Sequence, residues 1–339
     1  MRIAFFVNEV STEIDEYTTT RLAKAAAIEG HEAWYVGLGD ISQTPDQRLA
    51  AVARAALAKP DDTLTTFLER AQASDPERIR LDDLDAVFLR NDSIEDLHER
   101  PWANNLHIVF GQMLASRGVT VVNDPVGLSR ASSKLYLEEF PAEVRPPSLV
   151  TRDADEIKDF VADVGPAILK PLYGAKGRNV FVVHGKDEPN LAQMTEAVLQ
   201  DGYVIAQGYV EGGEDGDLRI FILEGELLRA DGIDAAFRRV PQGNDPRANI
   251  STGGRLRKAE VGDVERGIAE TMRDKLVADG MFFVGIDAIG DKVIEINAES
   301  AGGFQAVEHL YEVDMCPTIL DALEARCRSG SGLHRPRDP

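Results

Sequence analysis

Residues 283–300, FVGIDAIGDKVIEINAES, restrict this chain more than any other stretch: two apolar runs meet at Gly-Asp and are interrupted by Asp287, Glu295 and Asn297. The pattern reads as a hairpin. A buried carboxylate without a partner is expensive, so these three residues either face water or meet something positive. Glu295 and Asn297 are two apart and share a face of their strand. Whether Asp287 joins them depends on the turn. A two-residue turn at Gly290–Asp291 opposes 287 to 294 and sends Glu295 to the other face. A three-residue loop at 290–292 opposes 287 to 295. Two carboxylates and an amide oxygen suit a hard cation such as Mg²⁺ held together with nucleotide phosphates.

The rest of the chain supports a multidomain reading. At 339 residues it can bury a real core, and 43% apolar with 28% charged residues describes an ordinary globular protein. The net charge of −21 argues against a nucleic-acid binder. MRIAFFVNEV carries neither a signal peptide nor a membrane span, which predicts a cytoplasmic protein without a membrane partner. Cys316 and Cys327 form neither a redox motif nor a zinc site.

RIAFFVN, the helix-like TTTRLAKAAAIEG (18–30) and HEAWYVGLGD suggest a parallel βαβ unit. LDAVFLRND (84–92) and VTVVNDP (119–125) add two strands ending in polar residues, where open α/β sheets carry ligand-contacting loops. Residues 41–80 read as helix and loop. GLSRASSKLYLEEF is expected to be helical, and two strand-like stretches, PAILKPLYGAKGRNVFVV and YVIAQGYVEG, follow. From 217 the pattern is antiparallel, with a hairpin about Glu224–Gly225. The expected units are an α/β domain over 1–125, a small lid over 126–205, an antiparallel-sheet domain over 206–327 and a frayed tail over 328–339.

Several residues carry candidate chemistry. Lys170 ends an apolar strand just before a turn flanked by Gly174 and Gly177, whose amides could cover phosphates while the lysine supplies a point charge. Lys134, in SRASSKLYLEEF, reads by itself as a helix-surface lysine. Gln207, Gly208, Tyr209 and Val210 form an extended linker able to present backbone groups to an adenine edge, with Glu211 within reach of a ribose. Asp217 and Arg219 alternate onto one face of the next strand. RRVPQGNDPRANISTGGRLRK (238–258) gathers five arginines in an acidic chain, either a mobile loop that recruits an anionic substrate or a merely flexible excursion.

FLRND (88–92), VVNDPVGLSRASSKLY (121–136), ILKPLYGAKG (168–177), AQGYV (206–210), DGDLRIFILEGE (215–226), RVPQGNDPRANISTGGR (239–255) and the 282–300 hairpin occur in this order. Together they make the chain resemble the ATP-grasp superfamily, and within it the bacterial glutathione synthetases, over about residues 1–327. The resemblance implies an ATP-grasp fold behind an N-terminal open, Rossmann-like α/β domain. It implies ligation of γ-glutamylcysteine to glycine with ATP through an acyl phosphate, Mg²⁺ (or Mn²⁺) as cofactor, and a homo-oligomer, dimer or tetramer. Lys134 and Lys170 would contact nucleotide phosphates, and Asp287, Glu295 and Asn297 would hold the metal, which implies the wider turn. Arg219 and Arg239 would stand at the acidic peptide and reaction centre. Arg247, Asn249, Gly253 and Gly254 would belong to a closing loop, and Ser300 and Gly302 to the acceptor wall. Two departures, Lys176 in the phosphate loop and Ser300–Ala301–Gly302–Gly303 in place of a Ser-Pro turn, leave a second reading: an ATP-grasp ligase for another acid or amine.

Overall fold

The computed structural model describes residues 1–174, 178–241 and 255–330. The chain opens with β1 (Arg2–Val7), α1 (Thr18–Ile28) and β2 (Glu32–Gly37), with β1 and β2 parallel and Arg2 opposite Glu32. Leu22, Ala23 and Ala26 form the buried face of α1, and Gly30 ends it at a left-handed φ of 84°.

The stretch 41–80 departs from expectation. It holds β3 (Ile41–Gln43), β4 (Leu49–Ala55) and β5 (Glu77–Arg80), all antiparallel, and one helix, α2 (Leu64–Ala73). Ala50, Ala51 and Ala53 have little β preference of their own; pairing with β3 and β5 and burial against the core hold them extended. β6 (Ala86–Leu89) then lies parallel to β1 on its other side. α3 (Ser93–Glu99) and α4 (Leu106–Ala115) lead to β7 (Thr120–Val122), giving the order β3-β4-β2-β1-β6-β7. The order reverses between β1 and β6, so their carboxyl ends border the crevice where open α/β sheets take ligands.

After α5 (Pro125–Ala131), capped by Asp124, the expected long helix gives way at Lys134 to a 3-10 turn over Lys134–Glu139. β8 (Ser148–Thr151), α6 (Ala154–Val164), β9 (Ala167–Pro171), β10 (Phe181–Val183), α7 (Leu191–Leu199) and β11 (Val204–Gly208) build an antiparallel sheet ordered β10-β9-β11-β8. This layer has its own core, in which Ile157 and Val161 of α6 meet Leu169, Val198 and Val204.

The third sheet starts with β12 (Asp217–Leu223) and β13 (Glu226–Leu227), a hairpin whose turn residues Glu224 and Gly225 both have positive φ, as a tight two-residue turn demands. β14 (Arg229–Ala230) and β15 (Ile233–Asp234) form a side ribbon. β16 (Ala236–Val240), β17 (Arg255–Lys258), α8 (Asp263–Ala278), β18 (Phe283–Ile289) and β19 (Lys292–Asn297) complete the order β17-β16-β12-β18-β19. α9 (Phe304–Tyr311) and α10 (Cys316–Arg328) follow. The expected frayed tail falls largely on residues 331–339, outside the described ones.

Alternation gives β12 and β18 two different faces. Leu218, Ile220, Ile222, Val284 and Ile286 share a core with Ile268, Met272 and Leu276 of α8. The opposite face is aromatic at one end, where Phe221 and Phe283 stack at 5.7 Å and Phe304 meets both edge-on. At its other end it is charged. Asn123, just after β7, ties the first sheet to the third: Oδ1 accepts from the amides of Phe282 and Phe283, and Nδ2 donates to the carbonyls of Phe283 and Ala298. Among the described residues no helix is long and apolar enough to cross a membrane.

Candidate active site

Cross-strand register brings the charged residues of the third sheet together. Asp217 opposes Arg239, Arg219 opposes Asp287, and Asp287 opposes Glu295, so all five project from one face. Arg219 grips Asp287 with a fork, Nε to Oδ1 and Nη2 to Oδ2, both at 2.6 Å. Arg239 does the same to Asp217 at 2.6 and 2.8 Å, and its Nη2 also reaches Asp287 Oδ2 at 2.7 Å. Two aspartates and two arginines sum to zero charge, which is what makes burial of all four tolerable. Burial alone would raise the Asp287 carboxyl; Arg219 and then Arg239 overcome it and hold it well below the usual carboxylate range.

The Asp287–Glu295 pairing is achieved differently from expectation. Ile289 opposes Lys292 and Ala288 opposes Val293, so the turn is the two-residue Gly290–Asp291, not the wider loop. A bulge between Asp287 and Ala288 then shifts the register by one, leaving Ile294 as the extra residue and returning Glu295 to Asp287's face. Lys170 uses that irregularity. Its Nζ donates to the Ile294 carbonyl at 3.1 Å and to Gln207 Oε1 at 3.0 Å, which ties β9 of the small layer to β19. Burial lowers the Lys170 ammonium to about 8, with Glu295 acting against the shift. Lys134 Nζ donates to the Gly174 carbonyl and lies 3.8 Å from Glu295 Oε1.

Lys134, Gly174, Glu295, Asn297 and Ser300 line one pocket. Gln207 and Gly208 close β11, and the amides of Gly208 and Tyr209 donate to the carbonyls of Pro147 and Pro166. Those two amides are therefore committed, whereas Val210 and Glu211 extend beyond the strand. The Gly302 carbonyl accepts from Arg219 Nη1 at 3.0 Å. Gly177, Arg247, Asn249, Gly253 and Gly254 lie outside the described residues.

The donor set fits a divalent cation. The Glu295 side chain is 39% exposed, and Asn297 spends its Nδ2 on Asp287 at 3.3 Å, leaving its amide oxygen to the pocket. Asp287 is more committed, its Oδ1 retaining one lone pair beyond the Arg219 bond. Glu308, Asp314 and Cys316 also approach one another closely enough for a metal, but Arg21 lies against Glu308 and Asp314 caps the Cys316 amide.

Two further acids of this pocket are not among the residues singled out from the sequence. Glu299 and Asp92 line it, and the Glu299 carboxylate accepts from Ser93 N at 3.1 Å and Ser93 Oγ at 3.0 Å. Burial raises Glu299 to about 7, and the Ser93 bonds oppose that shift. Buried Arg90 donates from Nη2 to the Ala301 carbonyl at 3.0 Å. The available signals were the polar ends of β6 and β7 and the two-residue step from Asn297 to Glu299.

Cations at the ends of β9 and the 3-10 turn, oxygen donors on β19 and a buried arginine pair form a site able to hold a polyphosphate beside a carboxylate. The ATP-grasp domain of prokaryotic glutathione synthetase matches residues 133–312, and the N-terminal domain of that family matches residues 1–129. The glutathione synthetase of Synechococcus elongatus is 31% identical over 340 residues, covering 97% of this chain and 100% of the relative. That of Gloeobacter violaceus is 34% identical over 327 residues, covering 95% and 96%. Among solved structures, D-cycloserine synthetase DcsG aligns with a TM-score of 0.63 at 15% identity, covering 96% of this chain and 99% of that one. The ATP-grasp ligase PsnB complexed with minimal precursor gives 0.61 at 19%, covering 96% and 99%. The fold is ATP-grasp behind an open N-terminal sheet.

Proposed function

The chain belongs to the prokaryotic glutathione synthetase family, and from that membership we propose that it joins γ-glutamylcysteine to glycine, releasing ADP and phosphate. It is an ATP-grasp carboxylate–amine ligase, a fold that implies dependence on ATP and a divalent metal. The observation carrying the finer reading is the buried Asp217–Arg239–Asp287–Arg219 quartet beside the Glu295–Asn297 pocket.

Lys134 and Lys170 bind the nucleotide phosphates in this reading, and Gln207 to Glu211 border the base and ribose. Arg219 and Arg239 orient the acid, since a guanidinium has five donors and each spends only part of its set on aspartates. The acid's carboxylate oxygen attacks the γ-phosphorus, and the bond to ADP breaks. The amine nitrogen then attacks the acyl carbon, loses a proton, and orthophosphate leaves. Mg²⁺, held by Glu295, Asn297 and the remaining capacity of Asp287, would neutralise charge on the phosphoryl oxygens. No protein nucleophile is required. Units over 1–125, 126–205 and 206–327, a homo-oligomeric state and a cytoplasmic location complete the proposal; family membership supports the homo-oligomer.

Phosphate release with ATP and Mg²⁺ across a panel of γ-glutamyl peptides and small amines tests this reading. γ-Glutamylcysteine with glycine is expected to give the fastest release. Robust turnover on another pair, with this one silent, would overturn the substrate assignment and leave the ligase. The Ser300–Ala301–Gly302–Gly303 turn, which differs from the family's Ser-Pro turn, favours that second reading, with a changed amine or a changed acid.

A further inference from the structure

A second cavity lies on the first sheet. It encloses about 470 Å³ at the carboxyl ends of β1 and β2, where Asn8, Glu9 and Asp40 meet Arg54 of β4 and Trp102 beyond α3. That size is ordinary for a small-molecule site, and the carboxyl edge of an open α/β sheet is where such sites sit. Among the described residues it shares no lining with the reaction pocket. One pair joins the two: Asn8 Nδ2 donates to the Asp92 carbonyl and Asp92 N to Asn8 Oδ1, both at 2.9 Å, with Asn8 lining this cavity and Asp92 the reaction pocket.

The lining offers three kinds of contact. Arg54 uses Nη1 on the Ser74 carbonyl and forms no ion pair among the described residues, so most of its fork is left for an anion. Arg100 is already committed, through Nε and Nη2 to Asp96 and through Nη1 to Glu9 Oε1 at 2.6 Å. Glu9 keeps its Oε2 for a cation, and Asp40 adds a second carboxylate. Trp102 supplies the apolar surface: the Arg100 guanidinium stands 5.8 Å from its ring centroid, yet the residue is 56% exposed. Gly39 helps keep it open, since a Cβ there would come within 3.4 Å of Trp102 Cη2. A lone exposed tryptophan is unremarkable on a surface, but this one borders a cavity with an unpaired guanidinium and a spare carboxylate oxygen. An isolated acid or amine would satisfy only half of that set. We propose that this cavity is a separate binding site for a free α-amino acid with a planar, apolar side chain. Arg54 takes the carboxylate, Glu9 and Asp40 the ammonium, and Trp102 the ring.

L-Phenylalanine is the probe, with phenethylamine and 3-phenylpropanoate as analogues that lack its carboxylate and its ammonium. Binding to purified full-length protein is measured by equilibrium dialysis without ATP or Mg²⁺, so the outcome does not depend on the ligase reading. Phenylalanine is expected to bind roughly tenfold to a hundredfold more tightly than either analogue, because each forfeits charge-assisted hydrogen bonds. Arg54→Gln should abolish its advantage over phenethylamine and keep its advantage over 3-phenylpropanoate. Trp102→Ala, a change at an exposed ring, should weaken all three and serves if Arg54→Gln fails to fold. Equal affinities for the three compounds, no binding of phenylalanine at millimolar concentration, or an advantage over phenethylamine that survives Arg54→Gln overturns the proposal. So does competitive displacement of phenylalanine by γ-glutamylcysteine, which would make the cavity part of the acid's own site.

Discussion

At the scale of single residues the site is governed by how each buried charge is matched. Asp287→Asn removes the anion shared by Arg219 and Arg239 and leaves excess positive charge in the interior. We expect a loss on the order of 3 kcal/mol, read from the urea unfolding midpoint, together with loss of turnover. Lys170 gives a pH signature. Its folded value of about 8 lies below the ordinary 10.5 of lysine, so the folded state releases this proton first. Unfolding stability therefore rises with pH between those two values, as the penalty for a buried ammonium disappears. With Lys170 on the nucleotide phosphates as proposed, ATP affinity is expected to run the other way, holding below about pH 8 and falling as pH rises beyond it. Lys170→Met should bind ATP weakly with that pH dependence gone. An unaltered dependence in the variant would assign the titration to another group.

The elements explain why some of this was legible and some was not. β1, β2, β6, β9, β11 and β12 announce themselves as apolar runs bounded by polar residues, because burial on both faces leaves few alternatives. β3 to β5 were hidden, being three to seven residues long, with β4 rich in alanine and β5 in charge, and extended only through pairing. The bulge in β19 left a trace, the adjacent apolar Val293 and Ile294 that break strict alternation, yet sequence alone could not tell it from a wider turn. The arginine–aspartate forks were invisible, since they depend on register between strands distant in sequence. Two substitutions test β19. Glu295→Gln and Asn297→Ala should leave the melting temperature nearly unchanged, as the Glu295 side chain is 39% exposed, but remove most turnover, Glu295→Gln more because it removes charge. Wild-type rates for Glu295→Gln at saturating Mg²⁺ would reject it as a ligand. Just upstream of β12, Gly216 takes φ 92°, and a Cβ there would lie 1.9 Å from the Arg239 carbonyl. Gly216→Ala should therefore displace the Asp217–Arg239 pair and cost both stability and activity.

For the whole molecule, the first and third sheets share two cores, while the small four-stranded layer has a separate one. Asn123 is the polar joint of the larger body, with four hydrogen bonds to backbone that would otherwise be buried unpaired. Asn123→Ala should cost on the order of 3 kcal/mol or more in denaturant unfolding; a change within about 0.5 kcal/mol would show that the sheets dock without it. The small layer meets the larger body at the site through Lys170 to Ile294, so the proposed nucleotide contact and the packing of these parts would share one lysine. The central claim is that this assembly activates an acid by phosphorylation and passes it to an amine. It is tested most directly by γ-glutamylcysteine labelled with ¹⁸O in both oxygens of its cysteinyl carboxylate, incubated with glycine, ATP and Mg²⁺ and read by mass spectrometry. The account predicts glutathione retaining one labelled oxygen in its new amide and orthophosphate carrying the other. Glutathione accompanied by unlabelled phosphate, or no glutathione while ATP is consumed, would contradict it.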